Sequence, residues 1–245
     1  MTLDQAIAEV QQIAGWRSDK AAQIQLALQY AQTEREKPDR TYPWFLRKTN
    51  DQAITTVANQ AQYPIPSDYI QDTEEVDGNL YIYLLSGTSS PSQPPGDPQS
   101  RTVFLKKQNF QPAQLRYYGE WPYVYSNPPG AVLDTASYIG PGVPRDYYLG
   151  DTFVLLYPIP NDRYYISWRY WANDAQQALG QTNKWLTYAP WVIIGDAAAK
   201  ICADLGNEAG KQTATELSNS ATDNLFRATI NREQAGKRRS LGSRL

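Results

Sequence analysis

Glu74, Glu75 and Asp77 put three carboxylates within four residues, the type of grouping from which glycoside hydrolysis draws its acid and its nucleophile or base. The cluster runs straight into Gly78 and Asn79, which gives it the sequence of a solvated turn. Asp146 and Asp151 flank Tyr147, Tyr148 and Gly150, acids beside aromatic rings that would suit a sugar platform, but residues that close strands account for them equally well. Gly87 and Gly96 have no following Lys-Ser/Thr and open no helical pattern, so they cradle no phosphate. The chain contains no His, which removes Ser-His-Asp and Cys-His catalysis and most zinc sites. Its single cysteine, Cys202, lies in AAAKICADL on an apolar helical stripe and is expected to be a buried, inert thiol with no disulfide partner. These residues predict a protein that is not an enzyme, with no catalytic residue, metal site or cofactor.

The aromatic composition points to surfaces that become half-buried: 18 Tyr and 7 Trp stand against 5 Phe, and both favoured types pair an apolar ring with a polar handle. Strands enrich the same residues for their own reasons. The net charge is −2, yet residues 232–245 alone carry +4, through Arg232, Lys237, Arg238, Arg239 and Arg244 against Glu233. Gly236 and Gly242 each weaken a continuing helix by about 1 kcal/mol, so this basic tail is expected to be flexible until it meets a partner. It reads as a solvated end, as a nucleic-acid arm working through phosphate contacts, or as a docking segment with Leu241 and Leu245 as apolar anchors. Residue types alone leave these three open.

The elements that must position these groups fall into three blocks. At the start, Thr2 and Gln5 form a capping-box pattern before Leu3, Ala6, Ile7, Val10 and Ile13, and Gly15 is the expected stop. Ser18 is placed to cap a second helix with a stripe of Ile24, Ala27, Leu28 and Ala31, widened by Leu26 and Tyr30, and Pro38 ends it. Between about Thr49 and Trp171 the pattern is β. NLYIYLL and RTVFLKK are expected to pair across SGTSSPSQPPGDPQS, residues 86–100, a flexible loop in which 11 of 15 positions are Ser, Gly or Pro. DTFVLLYPIPNDRYYISWRYW reads as a hairpin turning at PIPND, with Tyr164, Ile166, Trp168 and Tyr170 on its apolar face. After this, Thr187 and Pro190 open a helix that runs to Gly206, and Asn207 caps a last long one carrying Ala214, Leu217, Ala221, Leu225 and Ala228. The reading is α+β: residues 1–48 and 180–231 form a helical bundle, residues 49–179 an inserted antiparallel β domain, and residues 232–245 a flexible basic C-terminal tail. The opening MTLDQAIAEV has no basic region followed by an apolar run, so no signal peptide is expected. The longest apolar stretch is too short to span a bilayer, so neither is a membrane partner.

Four stretches, in order, resemble one family: TEREKPDRTYPWFLRK, QAQYPIPSDY, YYLGDTFVLLYPIPNDRYYISWRYWAN and NKWLTYAPWVIIGDAAAKICADLGNE. They are similar to the helix end, following strand, paired strands and closing-bundle helix of tailed-bacteriophage head-to-tail adaptors of the tail tubular protein A type. Their order and spacing carry the resemblance. It covers most of the chain apart from 86–145 and the tail. It implies a structural virion protein at the head-tail junction, made in the host bacterial cytoplasm, forming a homo-oligomer ring of typically twelve copies. The implied partners are the portal protein above, a tail or nozzle protein below, and the genomic DNA that passes through the lumen. Portal docking would fall to Arg232, Lys237, Arg238, Arg239, Leu241, Arg244 and Leu245. Subunit or tail contacts would fall to the β-domain aromatics Tyr81, Tyr83, Tyr165 and Trp171. The alternatives are a nucleic-acid-binding protein using the basic tail, and a carbohydrate-binding β domain.

Overall fold

A computed structural model describes residues 1–38, 40–73, 79–85, 100–108, 141–176 and 179–242. The chain mixes helices with antiparallel and mixed sheets, and it divides into two compact units. One is Met1–Lys48 with Trp171–Leu245, and the other is Thr49–Tyr170.

The helical unit begins with α1 (Leu3–Ile13), whose capping box forms as its sequence predicts. Gln5 N donates to Thr2 Oγ1 at 3.4 Å, and Thr2 N donates to Gln5 Oε1 at 2.9 Å. Gly15 at φ +89° ends the helix, and Trp16 follows at φ +62° with 73% of its surface exposed. Ser18 opens a 3-10 turn, Ser18–Lys20, instead of capping, so α2 (Ala21–Arg35) starts from that turn with no side-chain cap. Its buried stripe is Ile24, Ala27, Leu28 and Ala31, as predicted, whereas Leu26 and Tyr30 are 65% and 51% exposed on the outer face.

The second half of this unit holds α3 (Lys184–Tyr188), α4 (Pro190–Asp204) and α5 (Glu208–Gly242). Thr187 is not an N-cap. It lies inside the short α3, which Asn183 caps by accepting from Leu186 N at 2.8 Å. Proline at the first position then starts α4, where its missing N–H costs nothing. α4 is central: Ile194, Ala197, Ala198 and Cys202 are fully buried, and α1, α2, α3 and α5 all pack on it. Asn207 caps α5, accepting from Gly210 N at 3.0 Å.

α5 does not give way to a flexible tail; it stays helical through Gly236 to Gly242, 35 residues in all. A helix already nucleated gains one bond per added residue, and Ala, Lys, Arg and Gln, good helix formers, surround the glycine.

In the second unit β1 (Arg47–Thr55), β9 (Tyr165–Ala172), β4 (Leu80–Leu85) and β5 (Ser100–Phe104) lie in that order in one sheet, with β3 (Tyr69–Asp72) also on β9. The other sheet runs β2 (Gln62–Pro64), β8 (Phe153–Tyr157), β7 (Asp146–Leu149) and β6 (Lys106–Lys107). β4 and β5 pair antiparallel as expected, with Tyr81 opposite Phe104 and Tyr83 opposite Thr102.

Two expectations fail. β6 pairs with β7 in parallel, so this sheet is mixed; the long chain between them allows the crossover that a parallel pair needs. And β8 and β9 form no hairpin, because they belong to different sheets. PIPND is held from outside: Asn59 N donates to Pro160 O at 2.8 Å, and Thr56 Oγ1 to Asp162 O at 2.8 Å. The turn therefore carries the chain from one layer to the other. Tyr164, Ile166, Trp168 and Tyr170 are at most 1% exposed and form the apolar face read from their alternation.

Candidate interaction surface

The surface nearest the predicted docking segment is built by three parts of the helical unit. The 3-10 turn Trp44–Leu46 places Trp44 beside Tyr188 at the end of α3, with ring centroids 4.9 Å apart. Tyr188 stacks on Phe45 at 5.5 Å, and Phe45 meets Trp185 edge-on at 5.1 Å. α5 passes this aromatic cluster and sets the Arg232 guanidinium over the Trp44 ring at 3.6 Å, a cation–π contact. Between them lies a groove of about 460 Å³, lined by Trp44, Tyr188, Trp191, Leu217, Leu225 and Arg232 among others. Tyr188 and Trp191 are 53% and 39% exposed. The sequence reading assigned this groove no role. Its signal was the short spacing of Tyr188, Pro190 and Trp191, which a helical pattern absorbs as ordinary core.

Of the predicted docking residues, Arg232 is thus held against Trp44 within its own unit. Lys237, Arg238, Arg239 and Leu241 lie in the helical stretch of α5, but their side chains are outside the described residues, as are Arg244 and Leu245. Among the predicted β-domain contacts, Tyr81 must be withdrawn as an exposed aromatic: it is 2% exposed, packed by Phe104 at 5.6 Å and by the Arg169 guanidinium at 4.9 Å. Leu80 and Ile82 on the opposite face of β4 are buried as well, so both faces of the strand are covered over this stretch. Tyr165 and Trp171 are half-buried, with Arg163 over Tyr165 at 5.3 Å and Tyr42 5.5 Å from Trp171. The Tyr83 side chain is outside the described residues.

Glu74, Glu75 and Asp77 are outside the described residues; Asp146 accepts from Gln108 Nε2, and Asp151 sits in the bend before β8. Among the described residues no three His, Cys, Asp or Glu converge on a metal position. No described helix is long and apolar enough to cross a membrane.

Two acids instead organise the interior. Asp72 accepts from Trp168 Nε1 at 3.0 Å, Lys107 Nζ at 2.7 Å and Tyr147 OH at 3.4 Å. Burial, helped by the Asp72 charge, pushes the Tyr69 and Tyr147 phenols well above their ordinary range. In the helical unit, burial pushes the Glu36 carboxyl up to about 7, against the pull of donors from Trp185, Asp174 and Gln32.

No protein-family model matches the chain, and no curated protein matches it.

Proposed function

We propose that this protein is a structural virion component, a head-to-tail adaptor that forms a ring between the portal and the tail. One observation supports the reading most: α5 continues far beyond its packing partner. Its 35 residues span about 52 Å and the 15 of α4 about 22 Å. The excess carries Lys237, Arg238 and Arg239 with no acid between Ala235 and Gly242. A helix already formed loses less freedom on docking than a disordered segment, so it reaches a portal surface at lower cost.

In this reading identical heterologous contacts between copies, about twelve of them, close the ring. Each C-terminal helix makes a weak contact, and the ring multiplies them into firm attachment. Neighbouring copies or the tail or nozzle protein below are met through Tyr165 and Tyr83 of the β unit and through Trp171, where the chain re-enters the helical unit. Genomic DNA passes through the lumen, and the protein acts by assembly, without catalysis or a cofactor.

The test is co-sedimentation with the portal ring, comparing the full chain with one ending at Gln234, which keeps Arg232 against Trp44. The expected result is binding of a fixed number of copies per portal that the shorter chain loses while staying folded. Equal attachment by both chains would overturn the docking assignment. Failure of both to bind the portal, together with steeply salt-dependent DNA binding by the full chain, would move the basic end onto nucleic acid.

A further inference from the structure

The groove beside Trp44 has a chemistry of its own. It is lined by the aromatic rings of Trp44, Tyr188 and Trp191 and by Leu217 and Leu225, and Arg232 is the one charged residue among its described lining residues. Grooves walled by aromatic rings take proline-rich segments, because the flat rings pack against pyrrolidine edges and the extended left-handed helix is largely formed before binding. The chain carries such a segment, Pro91-Ser-Gln-Pro94-Pro95-Gly-Asp97-Pro98, which lies outside the described residues.

We propose that the groove docks residues 91–98 of a second copy of this chain. Three properties of the segment match it. Docked as a polyproline helix, with three residues per turn, the segment would present Pro91, Pro94 and Asp97 along one edge. Asp97 is the one ionisable residue between 86 and 100, and it would pair with Arg232, the one charge among the groove's described lining residues, whose guanidinium face covers Trp44. Lengths also agree: in that docked form Pro91 to Asp97 would span about 19 Å, and Leu217 to Arg232 along α5 spans about 22 Å. The choice of a second copy rests on the ring reading, in which every copy has neighbours of the same chain.

The test traps the contact by disulfide formation in the full-length chain. With Cys202→Ser throughout, one chain carries Asn224→Cys in the groove and the other Gln93→Cys, and the two are mixed while sedimentation measures oligomeric state. A cross-linked heterodimer is expected, at least tenfold reduced by Pro91→Ala with Pro94→Ala and by Trp191→Ala. Asp97→Asn should reduce it about threefold and flatten its salt dependence. A yield that ignores the proline changes overturns the inference. So does cross-linking to Leu26→Cys on α2 in place of Gln93→Cys, which would give the groove to the exposed helix face. Closure within one chain carrying both cysteines, without dimer, overturns the choice of a second copy. A ring without the cross-link overturns this inference alone, and a monomer without it overturns both readings.

Discussion

The indole N–H of Trp185 donates to Glu36 Oε1 at 2.7 Å, and the same oxygen receives Gln32 Nε2 at 3.1 Å and Asp174 N at 3.3 Å. This one atom ties the end of α2 to the start of α3 and to the chain returning after β9. Gln32 reinforces the knot, donating to Asp174 O at 2.9 Å and accepting from Asn183 Nδ2 at 2.8 Å. With all three donors on Oε1, Oε2 is left as the place for a proton.

Stability should therefore fall as pH rises toward neutrality. The unfolded chain releases the Glu36 proton near the ordinary value of about 4.3, and the folded chain near 7. Between those values the folded state holds more protons, so its contribution is complete below about pH 4 and is lost on passing 7. The loss is on the order of 3 kcal/mol. Urea unfolding from pH 4 to 8 should show the decline, and Glu36→Gln should flatten it.

Gly195→Ala should destabilise the helical unit by about 1 kcal/mol. Alanine gains about 1 kcal/mol in helix preference, but its Cβ would stand 2.8 Å from Ala214 O and from Ser218 N. Both are α5 backbone atoms, so relief requires the helices to part, which costs about 1–3 kcal/mol. Thermal unfolding followed by circular dichroism decides the sign.

Arg35 and Asp196 should be coupled by about 1–2 kcal/mol. Arg35 holds both carboxylate oxygens, at 2.8 and 3.0 Å, with each side chain 29% exposed, and Ser218 Oγ adds a third donor from α5. A double-mutant cycle with Ala at both positions, read by urea unfolding, measures it. Additive losses would reduce the pair to a surface contact.

Asp72→Ala should cost about 3 kcal/mol, since it leaves the Trp168 indole N–H and the Tyr147 hydroxyl without their acceptor in the interior. Asp72→Asn keeps an oxygen for the indole and should recover about half. Near-UV circular dichroism, which reports the tryptophan's surroundings, should change for Asp72→Ala and much less for Asp72→Asn.

Periodicity made the helices legible. Thr2 with Gln5, Pro190 and Asn207 all sit where their chemistry places them, and the stripe Ile24, Ala27, Leu28, Ala31 is buried. What stayed hidden depended on distant partners. Nothing local to PIPND reveals that Thr56 and Asn59 hold it and send β8 and β9 into separate sheets. Tyr81 looks like any strand aromatic until Phe104 and Arg169 close over it. The groove required Trp44 to meet Tyr188 and Arg232 across long sequence separations, beyond the reach of any window.

The split of the helical unit around an inserted one also sets an order of events at the ribosome. The apolar faces of α1 and α2 emerge early, but α4, the helix they bury against, begins only at Pro190. At about 5–20 residues per second, the N-terminal hairpin waits on the order of ten seconds or more with Ile7, Val10, Ile24 and Leu28 uncovered. During that interval the whole of Thr49–Tyr170 is synthesised and free to fold. The helices made ahead of the inserted unit are thus among the last to find their place, with their apolar faces open to other nascent chains until α4 follows.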